Sequence, residues 1–375
     1  MIDPVLRAVA YLSRVVEPPC PPLAELAARV GPVEAAEMVK RREIDKELLR
    51  LTEARHEIDA AARDLAVLER LGGRLVTAAD AEWPLLAFTA FAGVDTTERP
   101  QAHPPLALWV TGPARLDEVT ERAAAIVGTR AATAYGEFVA AELAAGLAQR
   151  DVAVVSGGAY GIDGTAHRAA LAADGLTIAV LAGGIDVSYP SGHAALFHRI
   201  GEQGLIVTEY PPGLRPQRHR FLTRNRLVAA LSGATVVVEA GARSGAANTA
   251  AWARALGRGI CAVPGPVTSS ASVGCHVLLR AGAIVVTRAD EVLELVGRAG
   301  ELAADAERPA SALDGLADNE LRVYDALPAR GARTVDEIAV ASGLPPTEIL
   351  GPLSMLEIGG LVVCQGGRWK LAHRT

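Results

Sequence analysis

The amino-acid sequence predicts an α/β protein built on an extended Rossmann-like, mainly parallel sheet, with an N-terminal helical domain and a C-terminal winged-helix domain. Three observations predict this. Between residues 123 and 287, short runs that are apolar throughout alternate with amphipathic helical stretches. Strands buried on both faces read this way in a parallel sheet covered by helices. Before that region apolar residues recur at helical spacing, and after it three helical stretches are followed by two short strand-like runs with Gly366-Gly367 between them. A chain of 375 residues suits two or three domains.

Taken in order, residues 1–80 read as the helical domain. Leu6, Val9 and Ala10 begin one helix, 23–30 forms a second that stops at Gly31-Pro32, and 44–71 is a long charged helical region. A Gly-Pro turn between short helices can serve a DNA-binding hairpin, but plain helix packing is the simpler reading. Residues 81–120 carry five prolines and read as a linker with one short strand at 106–110. The Rossmann-like core spans 121–298, with strands at 124–128, 152–156, 177–182, 205–209, 235–239, 260–264 and 283–287. Helices between them are expected at 135–149, 164–173, 194–203, 222–231, 248–256 and 273–281. An Ala-, Glu- and Asp-rich stretch at 299–315 reads as a second linker, and 316–375 as the winged helix.

Bulk properties exclude several classes. No apolar run approaches the roughly 20 residues of a membrane helix, and residues 1–14 lack the pattern of an export signal, so a cytoplasmic address is expected. Cys20, Cys261, Cys275 and Cys364 stand singly, which fits neither a zinc ribbon nor a disulfide framework. The net charge of −6 conceals a polarised distribution. Between Glu209 and Glu239 there is no acidic residue, and Arg215, Arg218, His219, Arg220, Arg224 and Arg226 lie in that gap.

In an open parallel sheet, ligands bind beyond the carboxyl ends of the strands. The residues there are Gly128-Thr129-Arg130, Ser156-Gly157-Gly158, Gly183-Gly184, Glu209-Tyr210, Glu239 through Arg243-Ser244-Gly245, and Pro264-Gly265. Glycine lets backbone N–H groups approach a phosphate, helix N-termini add partial positive charge, and arginine suits bidentate phosphate contact. The stretch from His219 to Ser232 is expected to bury Leu227, Val228, Ala230 and Leu231 and to leave Arg220, Arg224 and Arg226 toward solvent or ligand. Phe221 among them could stack on an unpaired base. No catalytic residue, metal ligand set or cofactor is expected. The phosphate-loop and dinucleotide glycine patterns are absent, the histidines lack ligand spacing and read as capping or surface residues, and Asp163 and Asp186 read as helix N-caps.

In order, these loops resemble those of the DprA (Smf) DNA-processing family. The segments are Ala125-Ile-Val-Gly-Thr-Arg130, Ser156-Gly-Gly-Ala-Tyr-Gly-Ile-Asp163 with His167, and Ala182-Gly-Gly-Ile-Asp186 with Tyr189-Pro190. Thr208-Glu-Tyr-Pro211, Phe221-Leu-Thr-Arg-Asn-Arg226, Glu239-Ala-Gly-Ala-Arg-Ser-Gly245 with Thr249-Ala250, and Ala262-Val-Pro-Gly265 complete the set. The resemblance spans residues 123–296. It implies a dimer that binds single-stranded DNA and helps to load RecA onto incoming strands during natural transformation. With the strand-end reading it marks Gly128, Thr129, Arg130, Gly157, Gly158, Tyr160, Arg220, Phe221, Arg224, Asn225, Arg226, Arg243, Ser244, Gly245 and Thr249 as DNA-contacting residues. Many members carry a basic residue in place of Tyr160 and a proline in place of Leu222. Tyr160 therefore either stacks on a base or packs.

Two other readings share the fold. A phosphoribohydrolase acting on a nucleoside monophosphate would need a glutamate where this chain has Trp252, and tryptophan cannot do acid–base work. A nucleotide-sensing module would hold a small phosphorylated ligand on the same rim. In the winged helix, 345–360 has no Lys or Arg but carries Glu348 and Glu357. A groove-reading helix brings cations to phosphates, so this module is expected to contact protein instead of duplex DNA.

Overall fold

The structure, a computed structural model, describes residues 2–372 apart from 243, 299, 302–312 and 314. The chain divides into two compact units, Met1–Ala303 and Ala304–Thr375.

The first unit is built on a nine-stranded sheet. Its strands are β1 (Arg74–Val76), β2 (Leu108–Thr111), β3 (Ala123–Val127), β4 (Ala153–Ser156), β5 (Thr177–Val180), β6 (Leu205–Thr208), β7 (Ala234–Val237), β8 (Gly259–Ala262) and β9 (Ile284–Val285). They lie in the order β1-β2-β6-β5-β4-β3-β7-β8-β9. The pairs β1–β2 and β2–β6 are antiparallel and the remaining ones parallel. Chain order therefore reverses at β3, with β4 on one side and β7 on the other, and such a switch point opens a crevice at the strand ends.

Alternation along each strand assigns the two faces. Ala125, Val127, Val155, Ile178 and Val180 pack on one face with Leu227–Leu231 and Ala246–Leu256. Ala124, Ile126, Val154 and Val236 pack on the other with Leu143, Ala144, Ile162 and Ala166. The N-terminal helices continue that second face. Tyr11, Leu12, Leu23 and Leu48 share a core with Leu75, Trp109, Ala179 and Ile206. Plain packing is what the helices joined at Gly31 do, and the region 1–80 shares its core with the sheet.

The expected core strands and the helix Ala194–Gln203 are all present. The departures are local. Residues 44–71 form two helices, Lys46–Thr52 and Ala61–Arg70, instead of one. β1 lies inside the segment read as helical. Residues 81–120 are no linker: β2 is an interior strand, and Trp83, Phe88, Phe91 and Ala102 are buried in the core. The prolines there punctuate packed structure. Of the expected 299–315 linker, most residues lie outside those described. No helix among the described residues is long and apolar enough to cross a membrane.

The second unit has helices Asp318–Asp325, Val335–Ser342 and Leu350–Ile358 and a hairpin of β10 (Val362–Gln365) and β11 (Arg368–Leu371). Val323, Ile338, Ile349, Leu353, Leu356, Val362 and Trp369 form its core. Arg333 bridges to Trp369, adding an edge to the hairpin as a wing requires. This is the winged helix expected from the sequence.

Candidate functional site

A cleft of about 760 Å³ opens at the switch point. Its walls are the loops after β3, β4 and β7 and the helix Arg218–Ala230 that follows β6. Of the residues marked from sequence, Gly128, Thr129, Arg130, Gly157, Phe221, Arg224, Asn225, Ser244, Gly245 and Thr249 line it together.

The β3 and β7 loops are laced through Glu239. Its backbone oxygen accepts from Thr129 N at 2.7 Å, and its buried carboxylate accepts from Thr133 N (2.9 Å) and Thr133 Oγ1 (2.6 Å). Thr133 Oγ1 in turn caps the helix Ala134–Ala148 by accepting from Gly136 N. Arg130 is thus held at the cleft mouth by a fixed backbone while its own side chain stays exposed. Gly161, with φ of +72°, closes the β4 loop against the Thr129 carbonyl, where a side chain would collide.

Arg224 forms the floor. Its guanidinium crosses Gly157, at a separation that leaves no room for a Cβ there, and Nη1 donates to Gly157 O at 2.8 Å and to Val180 O. Burial pulls its pKa down to about 10, with Asp163 opposing, so it remains cationic at neutral pH. Burial pushes the Asp163 carboxyl up, while Arg224 and the Ala159 and Gly157 amides pull it back. Asp163 is not an N-cap: it sits in the first turn of Ile162–Ala172 and accepts from Gly157 N (3.2 Å) and Ala159 N (3.4 Å), pinning the turn under Arg224. Among the described residues that line the cleft, Asp163 is the one carboxylate, against Arg130, Arg218 and Arg224. The field in the cleft is positive.

The third wall starts a helix. Ser244 Oγ accepts from Ala247 N, capping Gly245–Ala255, and Asn225 Nδ2 donates to Gly245 O (3.3 Å) and Asn248 Oδ1 (3.1 Å). The helix N-terminus therefore faces the cleft with its partial positive charge. Phe221 completes the wall. The Arg130 guanidinium lies 5.2 Å above its ring, and Tyr189 leans on it with centroids 5.4 Å apart.

Several sequence expectations need correction. Arg220 and Arg226 do not face solvent or the cleft. Arg220 is 2% exposed and forms a two-point ion pair with Glu17 of the N-terminal helical region (2.6 and 2.9 Å), its guanidinium over Tyr210. Arg226 is fully buried, pairs with Glu209 at 2.5 Å and lies over the Phe91 ring. Both cations are consumed by the fold. Gly158 and Tyr160 turn away from the cleft: Gly158 packs against Phe197, and Tyr160 stands edge-on to His193 at 4.8 Å with about half its surface exposed. Arg243 lies outside the described residues. Asp186 ties down a loop by accepting from Gly213 N at 2.7 Å. His167 is a core residue, neither cap nor surface: Thr177 Oγ1 donates to Val154 O and so accepts from His167 Nδ1, and burial drops the imidazole pKa to about 3. Trp252 is buried with Arg99 over its ring, away from the cleft.

Arg218, Tyr189 and Leu222 also line the cleft, beyond the residues that the sequence singles out. Arg218 was visible as part of the acid-free run. Tyr189 had a weaker signal, since it lies several residues beyond the glycines that follow β5.

Comparison with known proteins agrees with this geometry. The family described as DNA recombination-mediator protein A matches residues 74–297, and the DprA winged helix domain matches 306–368. A DNA processing protein DprA of Mycobacterium tuberculosis is 67% identical over 371 residues, covering 99% of this chain and 95% of its own. Protein Smf of Escherichia coli is 37% identical over 254 residues, covering 67% of this chain and 68% of its own. The X-ray structure of DNA processing protein A (DprA) from Streptococcus pneumoniae superposes with a TM-score of 0.63 at 27% identity, over 79% of this chain and 99% of that one. The match begins at the first residue of β1 and takes in the whole sheet and its cleft, and the chain belongs to the DNA recombination-mediator protein A family.

Proposed function

We propose that the cleft binds single-stranded DNA, and that the protein protects incoming strands and helps to load RecA onto them in natural transformation or related recombination. The observation that carries this reading is the grouping of Arg130, Arg218, Arg224 and Phe221 in one cleft at a helix N-terminus, with Arg130 over the Phe221 ring. The cations and backbone amides suit phosphates, and a ring flanked by cations suits an unstacked base. A base in a duplex cannot reach such a ring, which favours the single strand. With RecA as its partner the protein works in the cytoplasm.

Two surfaces support partner contacts. β9 is an edge strand whose Ile284 and Val285 are exposed, and a second copy covering this edge would make a homodimer. Sedimentation of a Val285→Arg chain that remained dimeric would remove that idea. In the second unit, Leu350, Met355 and Ile358 are exposed on a helix with no Lys or Arg, which fits a protein contact and not duplex reading.

The test is equilibrium binding of a labelled dT strand of about twenty nucleotides, with dTMP and AMP as competitors. The strand is expected to bind with steep salt dependence and to resist both mononucleotides. Competition by AMP at comparable concentration, or release of free base from it, would point to a nucleotide site or an enzyme.

A further inference from the structure

A second cleft, of about 640 Å³, lies between the N-terminal helices and the segments 77–89 and 103–107. Its volume falls within the roughly 300–1,000 Å³ of small-molecule sites. Much of its wall is proline: Pro18, Pro19 and Pro21 from the N-terminal region, Pro104 and Pro105 from the later segment. Proline fixes φ and has no N–H, so these walls are rigid, apolar and without backbone donors. Trp83 and Phe88, packed edge to face at 4.9 Å, extend the apolar surface.

The cleft carries two carboxylates and His103, whose imidazole is held below its ordinary pKa by burial and by Arg226. Among the described residues no Lys or Arg lines the cleft, whereas two carboxylates do: Glu25, exposed, and Glu209, 3% exposed. Glu209 uses only one of its oxygens. Oε1 accepts from Arg226 Nη2, while Oε2 is buried without a hydrogen-bond partner among the described residues. A buried acceptor left unpaired is costly, and a donor that enters the cleft recovers that cost.

We infer that this cleft binds a small amphiphilic cation, its aryl or alkyl body against the proline and tryptophan walls and its ammonium toward the Glu209 carboxylate. An anion of the same shape would meet two carboxylates, and the one cation beside them, Arg226, is already paired with Glu209. An alcohol keeps a donor but brings no charge. The site backs onto the first cleft, because Arg226, the partner of Glu209, belongs to the helix whose Phe221, Arg224 and Asn225 line that cleft.

The experiment titrates 4-phenylbutylamine, 4-phenylbutanol and 4-phenylbutyrate into the full chain and follows tryptophan fluorescence. Trp83→Phe checks that the signal arises in this cleft. The amine is expected to saturate and to bind at least about tenfold more tightly than the alcohol, with the acid weakest. Glu209→Gln should abolish the preference for the amine. Ala28→Phe, which adds bulk from an exposed helical position on the cleft wall, should abolish binding of all three while leaving thermal unfolding unchanged. Should Glu209→Gln fail to fold, the probe series and Ala28→Phe decide the matter by themselves. Equal affinities for the three probes, amine binding that survives Ala28→Phe, or no saturable change with any probe would overturn the inference.

Discussion

Replacing Arg130 by alanine separates ligand binding from folding more cleanly than any other change in the cleft. Its guanidinium makes no ion pair among the described residues and rests 5.2 Å over the ring of the half-buried Phe221. Nothing in the core depends on it. A charge-assisted hydrogen bond to phosphate contributes about 1.5–3 kcal/mol, so Arg130→Ala is expected to weaken single-strand binding roughly ten- to hundredfold. One neutralised phosphate fewer should also make the slope of log K against log salt shallower by about 0.7 for a single strand. Arg224 stays cationic in either chain, since its pKa is near 10, so the change amounts to one charge. Arg130→Lys should restore the slope and only part of the affinity, because the two-point fork is lost while the charge remains. Fluorescence anisotropy of a labelled dT strand across a salt series reads both quantities. An unchanged affinity would refute the reasoning. So would a loss of affinity with an unchanged slope, which would mean that Arg130 does not touch phosphate.

Other substitutions should sort by where the structure has placed them. Arg226→Ala strands the Glu209 carboxylate in the interior and should cost about 3–5 kcal/mol of stability, read as a lower urea midpoint; an unaltered midpoint would show that the pair is not buried. Phe221→Ala should cost about 1–3 kcal/mol of binding to a dT strand and far less to an abasic strand, with the salt slope unchanged; equal losses on the two strands would exclude stacking. Burial would raise the Glu17 carboxyl, but hydrogen bonds from Arg220 and Arg55 outweigh it and hold the pKa below its ordinary 4.5. A depressed folded pKa gives stability that is present above about pH 4.5 and is lost as pH falls through the folded value. Glu17→Gln should therefore flatten the acid limb of the stability curve, and parallel acid limbs for the two chains would contradict the pairing.

Much of this architecture was legible because parallel strands buried on both faces leave an unambiguous trace. Val152 to Ser156 and Thr235 to Val238 offer no polar alternation, and each is followed by small residues that make the strand-to-helix turn. β1 left no such trace: three residues beginning with Arg74 and adjoining a charged helix cannot show a period. The proline density of 81–120 resembles that of a linker, although Trp83, Phe88 and Phe91 are core anchors there. In the cleft, the loop residues were readable from strand ends alone. The helical arginines were not, because a helix places successive residues on different faces and the partners of Arg220 and Arg226 lie elsewhere in the chain. Glu17 stands 203 residues before Arg220, and Glu209 belongs to the strand end preceding the helix. An acid-free run shows that cations are concentrated, but burial and pairing decide which remain free.

The central claim is that a single strand lies in the cleft between the Gly128–Arg130 loop and the start of the helix Arg218–Ala230. Photocrosslinking of a bromodeoxyuridine-substituted strand to the full chain, with the attachment sites mapped by mass spectrometry, tests it directly. Attachment at Phe221 or Tyr189, abolished together with binding in Arg130→Ala, is the predicted result. Attachment confined to the winged helix, residues 318–371, would contradict it.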